Sequence, residues 1–319
     1  MSAENPRYPE VRFIQIYHES ENAYNVWKEA RKADVILLEF VGDSKLKREF
    51  KENYINFVSG LKRDWQKQLM RQPISDKYDF FDIFMRNIID SGKEVRYIDF
   101  AGDSKIAKKV KVVDDNFEKA LSLFWSGCFD LAYEKHKAAI LENTLLLRIR
   151  DPYVAGQIRE LIDSNTSRWQ EKKIAVIQGA YHAETYRIFK RENPRIPSSR
   201  TFMADRFVFG LEYEAGLRLL RGNGDIEGLI KRDFISNYLI YKLGRPEKAK
   251  LESFVLREKV VRAMTDAEVE SVFEELAAVQ KEHLRIGGPE SGLSHIKIEP
   301  IVRSIIDRHK NLFIEYPRS

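Results

Sequence analysis

Two short segments of this chain, Asp34 to Phe40 (DVILLEF) and Lys173 to Gln178 (KIAVIQ), are apolar at almost every position. A strand that alternates apolar and polar residues shows one face to water, whereas a near-continuous apolar run has to be covered on both faces. The two runs therefore predict a mainly parallel sheet with helices on each side. Val11 to Tyr17 (VRFIQIY) and Glu94 to Phe100 (EVRYIDF) are short, rich in Val, Ile, Phe and Tyr, and read as further strands of that sheet.

Between the strands the apolar period becomes helical. Glu21 to Ala33 has the length of a crossover helix, and Phe50, Tyr54, Phe57, Val58, Leu61, Trp65 and Leu69 recur at helical steps. Phe80 to Asp90 reads as a helix that ends at Ser91-Gly92. The long interval before the fourth strand holds helical patterns near Asn116 to Trp125, Leu131 to Leu147 and Tyr153 to Asp163, a helical insertion placed to roof the sheet edge. Arg148, Arg150 and Asp151 precede the last of these, with Asp151 as its N-cap and Pro152 in its first turn. From Ser198 onward the chain reads as successive helices, Thr201 to Arg221, Ile226 to Leu243, Lys248 to Met264, Asp266 to His283 and Pro300 to Lys310, with a capping box at Thr265 and Glu268. The expected fold class is α/β: a mainly parallel central sheet flanked by helices, with a large helical insertion and a helical C-terminal extension. The expected boundary separates an α/β domain, residues 1–197, from a helical region, residues 198–319, packed on it or mediating association.

A core is affordable in 319 residues that are 43% hydrophobic and 12% aromatic. Lys and Arg exceed Asp and Glu by only 54 to 49, and both signs are interspersed along the helical stretches, which argues against a nucleic-acid interface. Gly287 to Ser294 (GGPESGLS) lacks the GK[ST] ending of a phosphate loop and follows no strand, so no nucleotide cofactor is expected. No run is long enough to span a bilayer, no signal core opens the chain, and the single cysteine, Cys128, excludes an intrachain disulfide; the expected location is cytoplasmic. The aromatic stretch Phe202 to Tyr213 suits either core packing or a homodimer face.

In an open parallel sheet, ligands bind beyond the carboxyl ends of the strands. The first strand here runs into His18 and Glu19, the second ends on Glu39, the third on Asp99, and the fourth continues to His182. If the strands are neighbours, two imidazoles and two carboxylates converge, and two His with a Glu make an open site for a divalent metal such as Mn, Fe, Co or Zn. Each residue also has a plainer reading, as a strand-end polar group facing water or a loop. Glu39 is the exception, because it closes an apolar run and a buried carboxylate needs a partner; that partner is either a metal or an arginine such as Arg150.

A histidine closing the first strand (IQIYH), an acid closing the second (DVILLEF), the helix start RDPYVAGQI and the turn IAVIQGAYH together resemble the TraB/PrgY family. That family belongs to the wider group of Tiki proteases, ChaN-like haem-binding proteins and erythromycin esterases. The resemblance runs from about Val11 to Lys190 and leaves the helical tail uncovered. It implies the same α/β fold and, from Tiki-like members, divalent-metal-dependent peptide hydrolysis, with His18, Glu39 and His182 at the metal and Arg150 in support. On that basis Glu39 or Glu19 takes a proton from the attacking water and Arg150 stabilises the oxyanion. PrgY-like members imply an alternative, a non-catalytic protein that sequesters a peptide or small-molecule ligand. Two positions depart from the pattern: Gln15 stands where GxxH requires glycine, and Phe100 where TraB-like members carry arginine.

Overall fold

A computed structural model describes residues 8–16, 20–39, 84, 87–88, 91–100, 104–203, 210–222, 226–240, 250–286 and 293–314. The chain divides into two compact units, Met1–Lys108 with Leu147–Ala204, and Lys109–Leu146 with Asp205–Ser319.

The first unit is built on five parallel strands: β1 (Glu10–Ile16), β2 (Val35–Leu38), β3 (Glu94–Tyr97), β4 (Lys173–Gly179) and β5 (Ser198–Phe202), in the order β3-β2-β4-β1-β5. The α/β expectation is met, and the near-continuous apolar runs β2 and β4 lie side by side inside the sheet. Residue parity sorts their side chains between two cores. Ile14, Ile16, Ile36, Leu38, Ala175 and Ile177 face one side, where helix α1 (Ser20–Ala30) contributes Ala23, Val26 and Ala30, and where Phe84 and Ile88 join them. Val11, Phe13, Val35, Leu37, Ile174 and Val176 face the other. There they meet Val154, Ala155, Ile158 and Ile162 of a long helix, and Phe189 of the helix that follows β4. Each large side chain so buried contributes roughly 1.5–3 kcal/mol.

Two expectations need correction here. The sequence predicts helices from about Ser198 onward, yet Ser198–Phe202 is a strand that, among the described residues, stands at the sheet edge and pairs with β1. Its sequence, SSRTF, is polar because its side chains are exposed or half-buried, so no apolar run marks it. The sequence predicts Asp151 as an N-cap, yet one helix runs unbroken over Phe129–Ser164 with Pro152 inside it. A proline opens a helix more cheaply than it interrupts one, which is why the residues suggested a start.

After α1 the helices are α2 (Lys105–Trp125), α3 (Phe129–Ser164), α4 (Thr166–Trp169) and α5 (Ala183–Glu192), the last preceded by a 3-10 turn, Ala180–His182. Residues 147–164 of α3 belong to the first unit and 129–146 to the second.

The second unit also holds α6 (Gly210–Arg221), α7 (Glu227–Phe234) with a π turn at Ile235–Leu239, α8 (Lys250–Ala263), α9 (Asp266–Ile286), α10 (Leu293–Arg308) and α11 (Lys310–Ile314). Its core gathers Phe124, Phe129, Phe234, Ile235, Val260 and Val272. The capping box forms as expected: Glu268 N donates to Thr265 Oγ1 at 3.2 Å and Thr265 N to Glu268 Oε2 at 2.7 Å. Cys128 is half-buried. The helix expected over residues 50–69, most of 80–90, the loop residues 287–292 and residues 204–209 of the aromatic stretch lie outside the described residues. Among the described residues, no helix is long and apolar enough to cross a membrane.

Candidate functional site at the carboxyl edge of the sheet

The strand order creates a crevice. From β2 the chain moves outward to β3, and from β4 it moves the opposite way, past β1 to β5. Adjacent strands whose onward connections diverge leave an opening at their carboxyl ends, the usual place for a ligand in this architecture. Glu39 directly follows β2, and His182 ends the turn after β4. Asp99 follows β3 on the far side of β2.

The side chains converge on Glu39. Its Oε1 accepts from Arg150 Nη2 at 2.7 Å and faces His182 Nε2 at 2.9 Å, while Oε2 accepts from the backbone N–H of Gly179 at 2.6 Å. Arg150 also forks onto Asp99, with Nε to Oδ1 at 3.2 Å and Nη2 to Oδ2. Asp99 is held in turn by the N–H of Phe100 at 2.8 Å. On its other side the His182 ring meets Asp151, Nδ1 to Oδ1 at 2.7 Å. Thus the partner of Glu39 among the described residues is an arginine together with a histidine.

Both ring nitrogens of His182 face carboxylates, the arrangement of an imidazolium donating twice. Burial alone depresses the pKa of this buried ring. Attraction to Glu39 outweighs it, Arg150 opposes, and Asp151 adds to the rise, leaving the group at about 9. Burial likewise works against the charge on Arg150, and Glu39 and Asp99 overcome it and raise its pKa. Three carboxylates therefore surround two cations in a site where His182, Asp99 and Asp151 are all buried. Such a network is strongly coupled, and removing one member leaves another charged and unpaired.

Of the metal ligands the resemblance implies, Glu39 and His182 present atoms close enough to serve one ion, and Asp151 stands behind His182 as carboxylates stand behind ligating histidines. The donor types fit once His182 gives up its Nε2 proton, because only a neutral imidazole has a lone pair for an ion. The third, His18, and the alternative base Glu19 lie outside the described residues, and among the described residues no group of three or more metal-holding side chains assembles. Arg150 shares the Glu39 oxygen that faces His182. Phe100 stacks on Tyr153 with ring centroids 4.1 Å apart, so this position makes an aromatic contact.

Asp151 is the site residue that sequence reasoning assigned elsewhere. The signal was its adjacency to Arg150: neighbours on a helix point about 100° apart, so one can face Glu39 and Asp99 while the other faces His182. Comparisons with protein-family models, with curated proteins and with solved structures found no match to this chain.

Proposed function

We propose that this protein is a metal-dependent hydrolase of the TraB/PrgY-like kind, acting on peptides at the carboxyl edge of the sheet. The observation that carries the reading is the meeting of Glu39 and His182 at the crevice between β2 and β4, with Asp151 orienting the ring from behind. In this reading His18, Glu39 and His182 hold a divalent ion of the Mn, Fe, Co or Zn class. When bound, the ion supplies a water acidic enough to be a nucleophile near neutral pH. Glu39 or Glu19 would accept a proton there, Asp151 would keep the His182 ring in one orientation, and Arg150 would stabilise the negative charge that develops. The same reading sets the protein in the cytoplasm.

A second reading, a protein that holds a peptide or small molecule without cleaving it, is favoured by one specific feature. The cationic groups of Arg150 and His182 already face carboxylates, which suits a preformed binding floor better than a nucleophile generator.

Elemental analysis of the purified protein, followed by a peptide library assayed with each metal added back, separates the two. The hydrolase reading expects bound ion and cleavage, both lost in His182→Ala. Saturable peptide binding without product supports the second reading. A metal-replete sample that neither retains an ion nor turns over peptide ends the first.

A further inference from the structure

Gln15 and Gln178 are register partners on the adjacent strands β1 and β4. By strand parity both side chains face the side that packs against α3 and α5, the side of Phe13 and Val176. Both are fully or almost fully buried, at 0% and 1% exposure. Neither Gln15 Oε1, Gln15 Nε2 nor Gln178 Oε1 has a hydrogen-bond partner among the described residues. Thr185 Oγ1 shares this condition, with the residue at 0% exposure.

These atoms share one neighbourhood. Phe189, one turn after Thr185 on the same face of α5, packs on Phe13 with ring centroids 5.4 Å apart. Tyr186 also packs on Phe13, at 5.3 Å, so α5 lies against β1 there, and the buried Thr185 precedes both contacts on the side toward the carboxyl end of the sheet. The 3-10 turn between β4 and α5 also lies against β1. Gln178 Nε2, the remaining donor of the pair, bonds to the backbone carbonyl of His182.

Four buried polar atoms left without partners carry a combined penalty comparable with the whole folding stability of a domain. A folded chain that keeps two carboxamides and a hydroxyl there therefore supplies partners from outside the protein. The ligand has to be small, because the residues are enclosed. It has to be neutral, because the three side chains offer no charge, and it has to both donate and accept. Water meets all three conditions, and buried waters characteristically make two to four bonds to such groups. We propose that Gln15, Gln178 and Thr185 enclose an internal water site that braces the turn carrying His182. Gln178 is the link: its oxygen holds the water while its N–H holds the His182 carbonyl. Gln15 and Thr185 are positioning residues acting through that shared water, and they do so whichever reading of the neighbouring site holds.

A crystal structure showing ordered solvent, combined with Gln15→Leu, Thr185→Val and Thr185→Ser, tests this. Expected are a water within hydrogen-bond reach of the Gln15 carboxamide, Gln178 Oε1 and Thr185 Oγ1, and non-additivity of about fivefold in the unfolding equilibrium constant between Gln15→Leu and Thr185→Val. The His182 ring C–H resonances should move in Thr185→Val and return in Thr185→Ser, a response that a loss of packing alone would not restore. If Gln15→Leu does not fold, the solvent density and the Thr185 pair decide the matter. A dry site, additive variants, or His182 resonances indifferent to Thr185→Val overturns the proposal.

Discussion

His182 Nε2 lies 2.9 Å from Glu39 Oε1, across the boundary between the two strands whose onward connections diverge. The contact joins the end of an apolar strand to a histidine well over a hundred positions away in sequence, and it gives stability a defined dependence on pH. The folded pKa of His182 stands at about 9 against an ordinary 6.5. A group raised in this way stabilises the fold fully below its unfolded pKa, and that stabilisation is lost as pH rises through the folded value. Stability is therefore expected to fall between about pH 6.5 and 9, by on the order of 3 kcal/mol. Urea denaturation at the two ends of that window measures it. His182→Gln should remove the slope, and a flat wild-type profile would show that the ring is not an imidazolium.

Arg150 joins Glu39 to Asp99, so its removal is expected to cost more than a surface ion pair. Arg150→Met leaves two carboxylates facing each other in a buried site, a loss of about 3–5 kcal/mol. Arg150→Lys keeps the charge but lacks the planar fork that reaches both Asp99 oxygens, and should fall between wild type and Met. Equal stability of all three proteins in chemical denaturation would mean that water replaces the guanidinium without cost.

Much of this arrangement is legible in the sequence, and the rest is absent from it for physical reasons. Apolar runs reveal β2 and β4 because strands covered on both faces have no polar side to show. Glu39 stands out for the same reason, as a charge at the end of such a run. β5 is hidden because the side chains of SSRTF are exposed or half-buried, which leaves no apolar run. Asp151 is hidden because its role depends on whether Pro152 opens a helix or lies inside one, and local preference favours the wrong answer. The pairing of Gln15 with Gln178 depends on a register between strands far apart in sequence, which no local pattern records.

Gly210 opens α6 where a side chain would displace the ends of two others. A Cβ there would overlap Glu258 Oε1 and Arg262 Nη2, while the Gly210 N–H donates to Glu258 Oε2 at 3.0 Å. Glu258 also accepts from Arg262 Nε at 2.8 Å, while burial pushes its carboxyl up to about 7 against the opposing pull of Arg262 and the Gly210 N–H. Gly210→Ala is expected to cost about 1–3 kcal/mol through overpacking. In a double-mutant cycle Glu258→Ala should relieve most of that cost, since it removes the obstructing carboxylate. Additive effects would place the strain elsewhere.

Pro152 is exposed and lies inside α3, immediately after Arg150 and Asp151. It has no N–H to offer the carbonyl of Arg148, its helical acceptor one turn back, and an interior proline costs a helix about 3 kcal/mol. Alanine restores that donor, while the freer unfolded chain returns about 0.4–1 kcal/mol of the gain. Pro152→Ala should therefore be more stable by about 2–2.6 kcal/mol in urea denaturation. The gain should not be uniform with pH. The restored bond tightens the turn that carries Asp151, whose 2.7 Å contact with His182 helps keep that ring charged. At high pH, where His182 is neutral in any case, the full helical gain should appear. Near neutral pH part of it should be offset by the weakened pair, so the loss of stability between about pH 6.5 and 9 becomes shallower than in wild type. A gain of equal size at every pH would show that Asp151 is placed independently of the proline.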